Sequence, residues 1–248
     1  MPFTPSHAAA VLPLLRTGPP ASALLAGSVA PDLPYFLPGA PDWPTHTWPG
    51  VVGVDVALAA AIWLGWHGLL AAPALATAPG WIRGRVDAGE PGLRRRVGSL
   101  RAVLAALVGF AVGAATHVLW DDFTHAGRFG ARHLALLRDE TGGLPGYQWA
   151  QYVSGVLGLA VVAGWLVVWC RRTPARRVPA APATWWIFGG FLGAAVLAGV
   201  AAIATVDTPG SPGFLGARVG GSTLAALAVV GAVGWHARAV RLRRRECS

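Results

Sequence analysis

Five apolar runs, each near the length of a bilayer crossing, constrain this 248-residue chain more than any other feature. They lie at about Val51 to Ala72, Arg101 to Trp120, Tyr152 to Cys170, Thr184 to Val206, and Gly216 to Trp235. A hydrocarbon core about 30 Å thick takes roughly 20 helical residues, and a spanning segment must satisfy its own backbone polar groups. The runs therefore predict an all-α, polytopic membrane bundle with about five transmembrane helices. Composition agrees: 54% of the residues are hydrophobic and only 12% are charged, too apolar for an ordinary soluble domain. Trp48, Trp120, Trp149, Trp169, Trp185, Trp186 and Trp235 lie at or near the run ends, as interfacial belts require. Residues 7 to 30 are broken by Arg16, Gly18, Pro19 and Pro20. They read either as short re-entrant or interfacial helices or as one poor sixth span.

The net charge of +9 comes from arginine, because all 20 basic residues are Arg. Fifteen of them fall in three alternate segments: Arg83 to Arg101, Arg171 to Arg177, and Arg238 to Arg245. Under the positive-inside rule these segments are cytoplasmic, which predicts a multi-pass protein of the cytoplasmic membrane with its C-terminus inside. Arginines grouped beside apolar runs also argue against nucleic-acid binding. Neither Cys170 nor Cys247 has a CxxC partner, so neither a disulfide framework nor a thiolate metal site is expected. The N-terminus lacks a basic n-region and reads poorly as a signal peptide.

Gly109, Gly113, His117, Asp121 and His125 recur every four residues, so they share one helix face. Ionisable residues in a membrane helix are costly toward lipid, whereas small residues mark the face that meets other helices. The stripe therefore points into a bundle, and the expected topology puts its polar end on the outer side. Other residues are expected at the same level: His7 in Thr4-Pro5-Ser6-His7, Asp32 after Pro31, and His46 just before the first span. Asp55 lies four residues into that span, about 6 Å along a helix, where it reaches His117 directly or supports a ligating imidazole from behind.

Histidines and carboxylates without thiolates suit Zn, Mn or Fe. His7, Asp32, His46, His117 and Asp121 are the expected metal ligands, and Asp122 or His125 the general acid or base of a hydrolase. The competing reading is a non-enzymatic membrane protein, a small permease or structural partner, whose His/Asp cluster is a polar lock or a proton path joined by Asp207. His67 and His236 read as snorkelling residues, His133 as part of a short interfacial helix, and Gly189 to Gly193 as a helix-packing segment.

The opening Met1-Pro2-Phe3-Thr4-Pro5-Ser6-His7-Ala8-Ala9, the segment Gly27-Ser28-Val29-Ala30-Pro31-Asp32 and the segment Thr116 to His125 (THVLWDDFTH) carry a resemblance. The chain resembles an uncharacterised family of bacterial polytopic membrane proteins, domain of unknown function 4184, from Met1 to about Gly158. This suggests a family-like membrane domain over 1–158, followed by generic spans and a basic tail over 159–248. It is more loosely similar to predicted membrane-bound metal-dependent hydrolases through His7, Asp32, His46, His117 and Asp121. The chain departs from that pattern at Pro34-Tyr35, where the family has an Asp and a His, and it has Gln151-Tyr152 where Gln-His is expected. The looser similarity implies a divalent metal and a phosphoester or lipid-linked substrate in contact with the bilayer.

Overall fold

The structure, a computed structural model, describes residues 4–86, 93–178, 185–205 and 212–246. Asp207, Cys247 and the first three residues of the opening motif lie outside the described residues.

The chain opens with a 3-10 turn Thr4–His7, α1 Ala8–Val11 and a 3-10 turn Leu12–Leu14, then α2 Ala21–Val29 and a 3-10 segment Ala30–Phe36. After α3 Trp48–Val52 come α4 Val54–Gly65, a π turn Trp66–Leu70, α5 Ala71–Thr77, α6 Gly80–Arg83 and α7 Leu93–Arg96. The long α8 Leu100–Thr124 is followed by α9 Phe129–His133 and α10 Ala135–Arg138. A two-residue hairpin pairs β1 Glu140–Thr141 with β2 Leu144–Pro145 across Gly142 and Gly143. Both glycines have positive φ, as a tight hairpin turn demands. Then come α11 Gly146–Arg172, α12 Trp185–Thr205 and α13 Pro212–Glu246.

The fold is an all-α helical bundle, and among the described residues four helical stretches are long and apolar enough to cross a membrane: Val54–Thr77, Leu100–His133, Gly146–Arg172 and Pro212–Leu242. The fourth expected run forms α12, within which Gly189–Thr205 is a shorter apolar helix. Residues 7–30 form short helices and no single span. At 1.5 Å per residue the nine-residue α2 is only about 14 Å long.

The chain divides into two compact units. The first comprises residues 1–34, 39–63 and 94–172. Its centre is the packing of α2 on α8, which small residues bring to backbone contact. A Cβ on Gly113 would stand 2.7 Å from the Ser28 nitrogen, and one on Gly109 would stand 2.8 Å from the Ala23 Cβ. This close approach is what the glycines of the four-residue stripe provide. Ser99 caps α8 by accepting from the Ala102 N–H, and Thr47 caps α3 by accepting from the Gly50 N–H. α2 ends at Val29, two residues before Pro31, and the 3-10 segment that follows carries the buried Asp32.

The second unit comprises residues 35–38, 64–93 and 173–248. Here α12 packs on α13 through Gly199 and Gly220, each too close to the facing backbone to accept a Cβ. The expected packing segment Gly189 to Gly193 meets α13 through Phe191, whose ring would lie 3.1 Å from a Cβ on Gly231, and not through its glycines. Among the described residues a Cβ at Gly189, Gly190 or Gly193 would meet nothing within 4 Å, and the close backbone approach falls one to three turns later. The His236 Nε2–H donates to the Leu69 carbonyl.

Candidate metal centre

Five ionisable side chains of the first unit meet in its interior. His7 ends the opening 3-10 turn, Asp32 follows α2, His46 precedes α3, and His117 and Asp121 occupy the last two turns of α8. All five are buried, His7 and His117 completely. Helix periodicity explains the last two: one turn separates them, so both face α2 and the opening turn.

Four ligand-type atoms converge. His46 Nε2 lies 3.0 Å from Asp32 Oδ1, 3.5 Å from Asp121 Oδ2 and 3.3 Å from His117 Nε2. His117 Nε2 lies 3.6 Å from Asp32 Oδ1 and 3.4 Å from Asp121 Oδ2. Five of the six separations among these atoms are thus 3.0 to 3.6 Å. Ligands about 2.1 Å from a common ion in tetrahedral coordination stand about 3.4 Å apart, so these separations are of the length that shared ligation requires. Two triads, Asp32–His46–His117 and His7–His117–Asp121, each bring their ligand atoms within 4.8 Å of one another and are able to hold a metal ion.

The surrounding hydrogen bonds fix which atoms are offered. The His117 Nδ1–H donates to the Ser28 carbonyl at 2.8 Å, because a carbonyl only accepts. In the neutral ring this leaves the Nε2 lone pair facing the other three atoms, the usual arrangement of a ligating histidine held by a backbone carbonyl. The Thr4 hydroxyl donates to Asp32 Oδ2 at 2.6 Å, leaving Oδ1 to the centre. His46 has φ 59°, the left-handed region that non-glycine residues rarely adopt. Arg128 donates to the His46 carbonyl and braces that conformation.

His7 stacks on His117 with ring centroids 3.8 Å apart and planes 17° from parallel. Burial, reinforced by the neighbouring His117, pushes the His7 imidazole down to about 3, so its ring is neutral. Burial raises the Asp32 carboxyl, but hydrogen bonds from His117 and His46 outweigh it and hold the group below the ordinary carboxylate range. Two neutral ring nitrogens on His7, together with Asp121 Oδ1, make no hydrogen bond.

The other expected residues divide. His125 Nδ1 stands 3.3 Å from Asp121 Oδ1, its side chain is 24% exposed, and its Nε2 lies 3.2 Å from the Gln151 amide. Asp122 faces Arg128 at 3.8 Å. Asp55 is fully buried and lies within electrostatic reach of His46 and His117, but among the described residues neither of its oxygens makes a hydrogen bond. The His117 ring is held instead at Nδ1 by the Ser28 carbonyl. Ser28, Thr4, Gln151 and Arg128 were not expected as partners of the site. Arg128, three residues after His125 and just past a positive-φ Gly127, is the one such residue that sequence position marks.

The family model described as Domain of unknown function (DUF4184) matches residues 1–240, well beyond the Gly158 at which the resembling segments end. No curated protein matches the chain, and no solved structure does.

Proposed function

Since the chain belongs to the family described as Domain of unknown function (DUF4184), a description that carries no activity, we propose its function from the site: a membrane-embedded, metal-dependent hydrolase acting on a phosphoester or lipid-linked substrate. The observation that carries this reading is the convergence of buried His46, His117, Asp32 and Asp121, five of whose six ligand-atom separations are 3.0 to 3.6 Å. Two imidazoles and two carboxylates favour Zn, with Mn or Fe next. Such an ion supplies Lewis-acid activation of water and of the substrate oxygen. The chain's own contribution is to hold the ligands rigid and to exclude water from all but one side.

His125 is the proton carrier in this reading. It is the partly exposed member of the cluster, and Gln151 orients its ring. Asp122 acts behind it through Arg128 and the His46 carbonyl. The arginine-rich segments are taken as cytoplasmic, which puts the site toward the outer face of a bacterial cytoplasmic membrane.

The direct His46–Asp32 contact at 3.0 Å favours a second reading, a buried polar lock without chemistry. The two separate in one experiment on detergent-purified protein, using p-nitrophenyl phosphate, its bis-ester and a lipid pyrophosphate as probes. Hydrolysis that chelation removes, that Zn or Mn restores, and that His117→Ala abolishes supports the enzyme. Retained metal with no turnover of any probe, or a His117→Ala protein that only loses its fold, contradicts it.

A further inference from the structure

The Asp121 carboxylate faces two ways. Its Oδ2 belongs to the four-atom set, while its Oδ1 is directed to His7 Nε2 at 3.6 Å and to His125 Nδ1 at 3.3 Å. Among the described residues that second oxygen is buried without a hydrogen bond, and so are both nitrogens of His7. Three unpartnered polar atoms around one completely buried imidazole are costly unless something polar joins them.

The stacked rings give the spacing. His7 and His117 lie nearly parallel 3.8 Å apart, and each directs its Nε2 toward a different oxygen of the same carboxylate. Paired catalytic ions sit about 3.5–4 Å apart, which matches this stacking distance. Trp120, 5.3 Å from His7 by ring centroids, closes the far side of the ring. His125, whose side chain is 24% exposed, leaves a partly open edge.

We propose that Asp121 bridges two divalent cations, one among the His46, His117, Asp32 and Asp121 atoms and a second held by His7 Nε2 and Asp121 Oδ1 beside His125. The second position has two protein ligands and fills its remaining places with water or substrate oxygen, so it binds more weakly than the first. This assignment rests on the metal reading of the first position, and it narrows the substrate to a phosphoester. Ions held there would supply charge stabilisation at the phosphoryl oxygens and an activated water. The water oxygen would bond to phosphorus as the ester P–O bond breaks, the water's proton passing to His125 and from His125 to the leaving alkoxide.

The test uses full-length protein purified in mild detergent without chelators, then titrated with Mn(II) alone. Metal content is measured by mass spectrometry and spin coupling by electron paramagnetic resonance. The expected result is two equivalents per chain, bound in a tight and a weaker phase, with the exchange-coupled spectrum of a close pair. His7→Gln should hold one equivalent with an isolated-ion spectrum. One equivalent in wild type, or two uncoupled ions, overturns the bridge and leaves the single-metal reading standing. No stoichiometric metal overturns both. The wild-type spectrum decides the question even if His7→Gln does not fold.

Discussion

Gly113→Ala is the most informative small perturbation, because a single methyl group tests how the fold holds the centre. A Cβ at residue 113 would stand 2.7 Å from the Ser28 nitrogen, with the Leu24 carbonyl oxygen closer still. Ordinary contact begins at 3.4 Å, so α2 must retreat from α8 by about 0.7 Å or more. The same retreat stretches the His117 to Ser28 hydrogen bond from 2.8 Å to about 3.5 Å, beyond the normal N–H···O range. It also moves Asp32, which follows α2 directly. Losing a partner that orients a ligating histidine typically lowers metal affinity by about 10–100-fold. The assay is a competition titration of Zn against a chromophoric chelator in detergent, beside Gly164→Ala. A Cβ at Gly164 meets nothing within 4 Å. Gly164→Ala should bind as wild type does, and Gly113→Ala should bind at least about 10-fold more weakly. Wild-type affinity in a folded Gly113→Ala protein would refute the claim that the α2–α8 approach sets the ligand geometry.

Other outcomes follow from the same geometry. Arg128→Ala removes the brace on the left-handed His46 backbone and should weaken metal binding by about 10-fold, measured by the same titration. Thr4→Val frees Asp32 Oδ2 and should reduce affinity while leaving the helical circular dichroism unchanged. Acidification should destabilise the metal-free protein: the unfolded chain protonates residue 7 near 6.5, while the folded ring resists protonation until about 3. Stability present above pH 6.5 is thus lost as pH falls toward 3, at about 1.4 kcal/mol per pH unit for this one group. Thermal midpoints at pH 7 and pH 5 should converge in His7→Gln relative to wild type, and an equal drop in both proteins would contradict the assignment.

The membrane-bundle class was legible because hydrophobic run length is a direct record of bilayer thickness. The stripe from Gly109 to His125 was legible because helical period places such residues on one face, and Pro31 marked the turn that presents Asp32. What the sequence did not carry was pairing between distant backbones. Nothing in the spacing of Ser28 and His117 announces that one carbonyl meets one ring nitrogen across 89 residues. Asp55 illustrates the converse. Its depth in the first span suggested His117 as a partner, and it is buried within electrostatic reach of that ring, yet among the described residues it makes no hydrogen bond to it, and the ring's Nδ1 is taken by the Ser28 carbonyl. The glycines at 189–193 and at 199–220 look alike in sequence, and only the facing helix decides which of them are covered.

X-ray absorption at the metal edge of the purified protein tests the central claim most directly, because it reads the ligands around the ion itself. The account predicts nitrogen and oxygen neighbours at about 2.0–2.2 Å with the multiple scattering of at least two imidazoles, diminished in His117→Ala. A shell of water oxygens without imidazole, or protein that retains no metal to absorb, would contradict it.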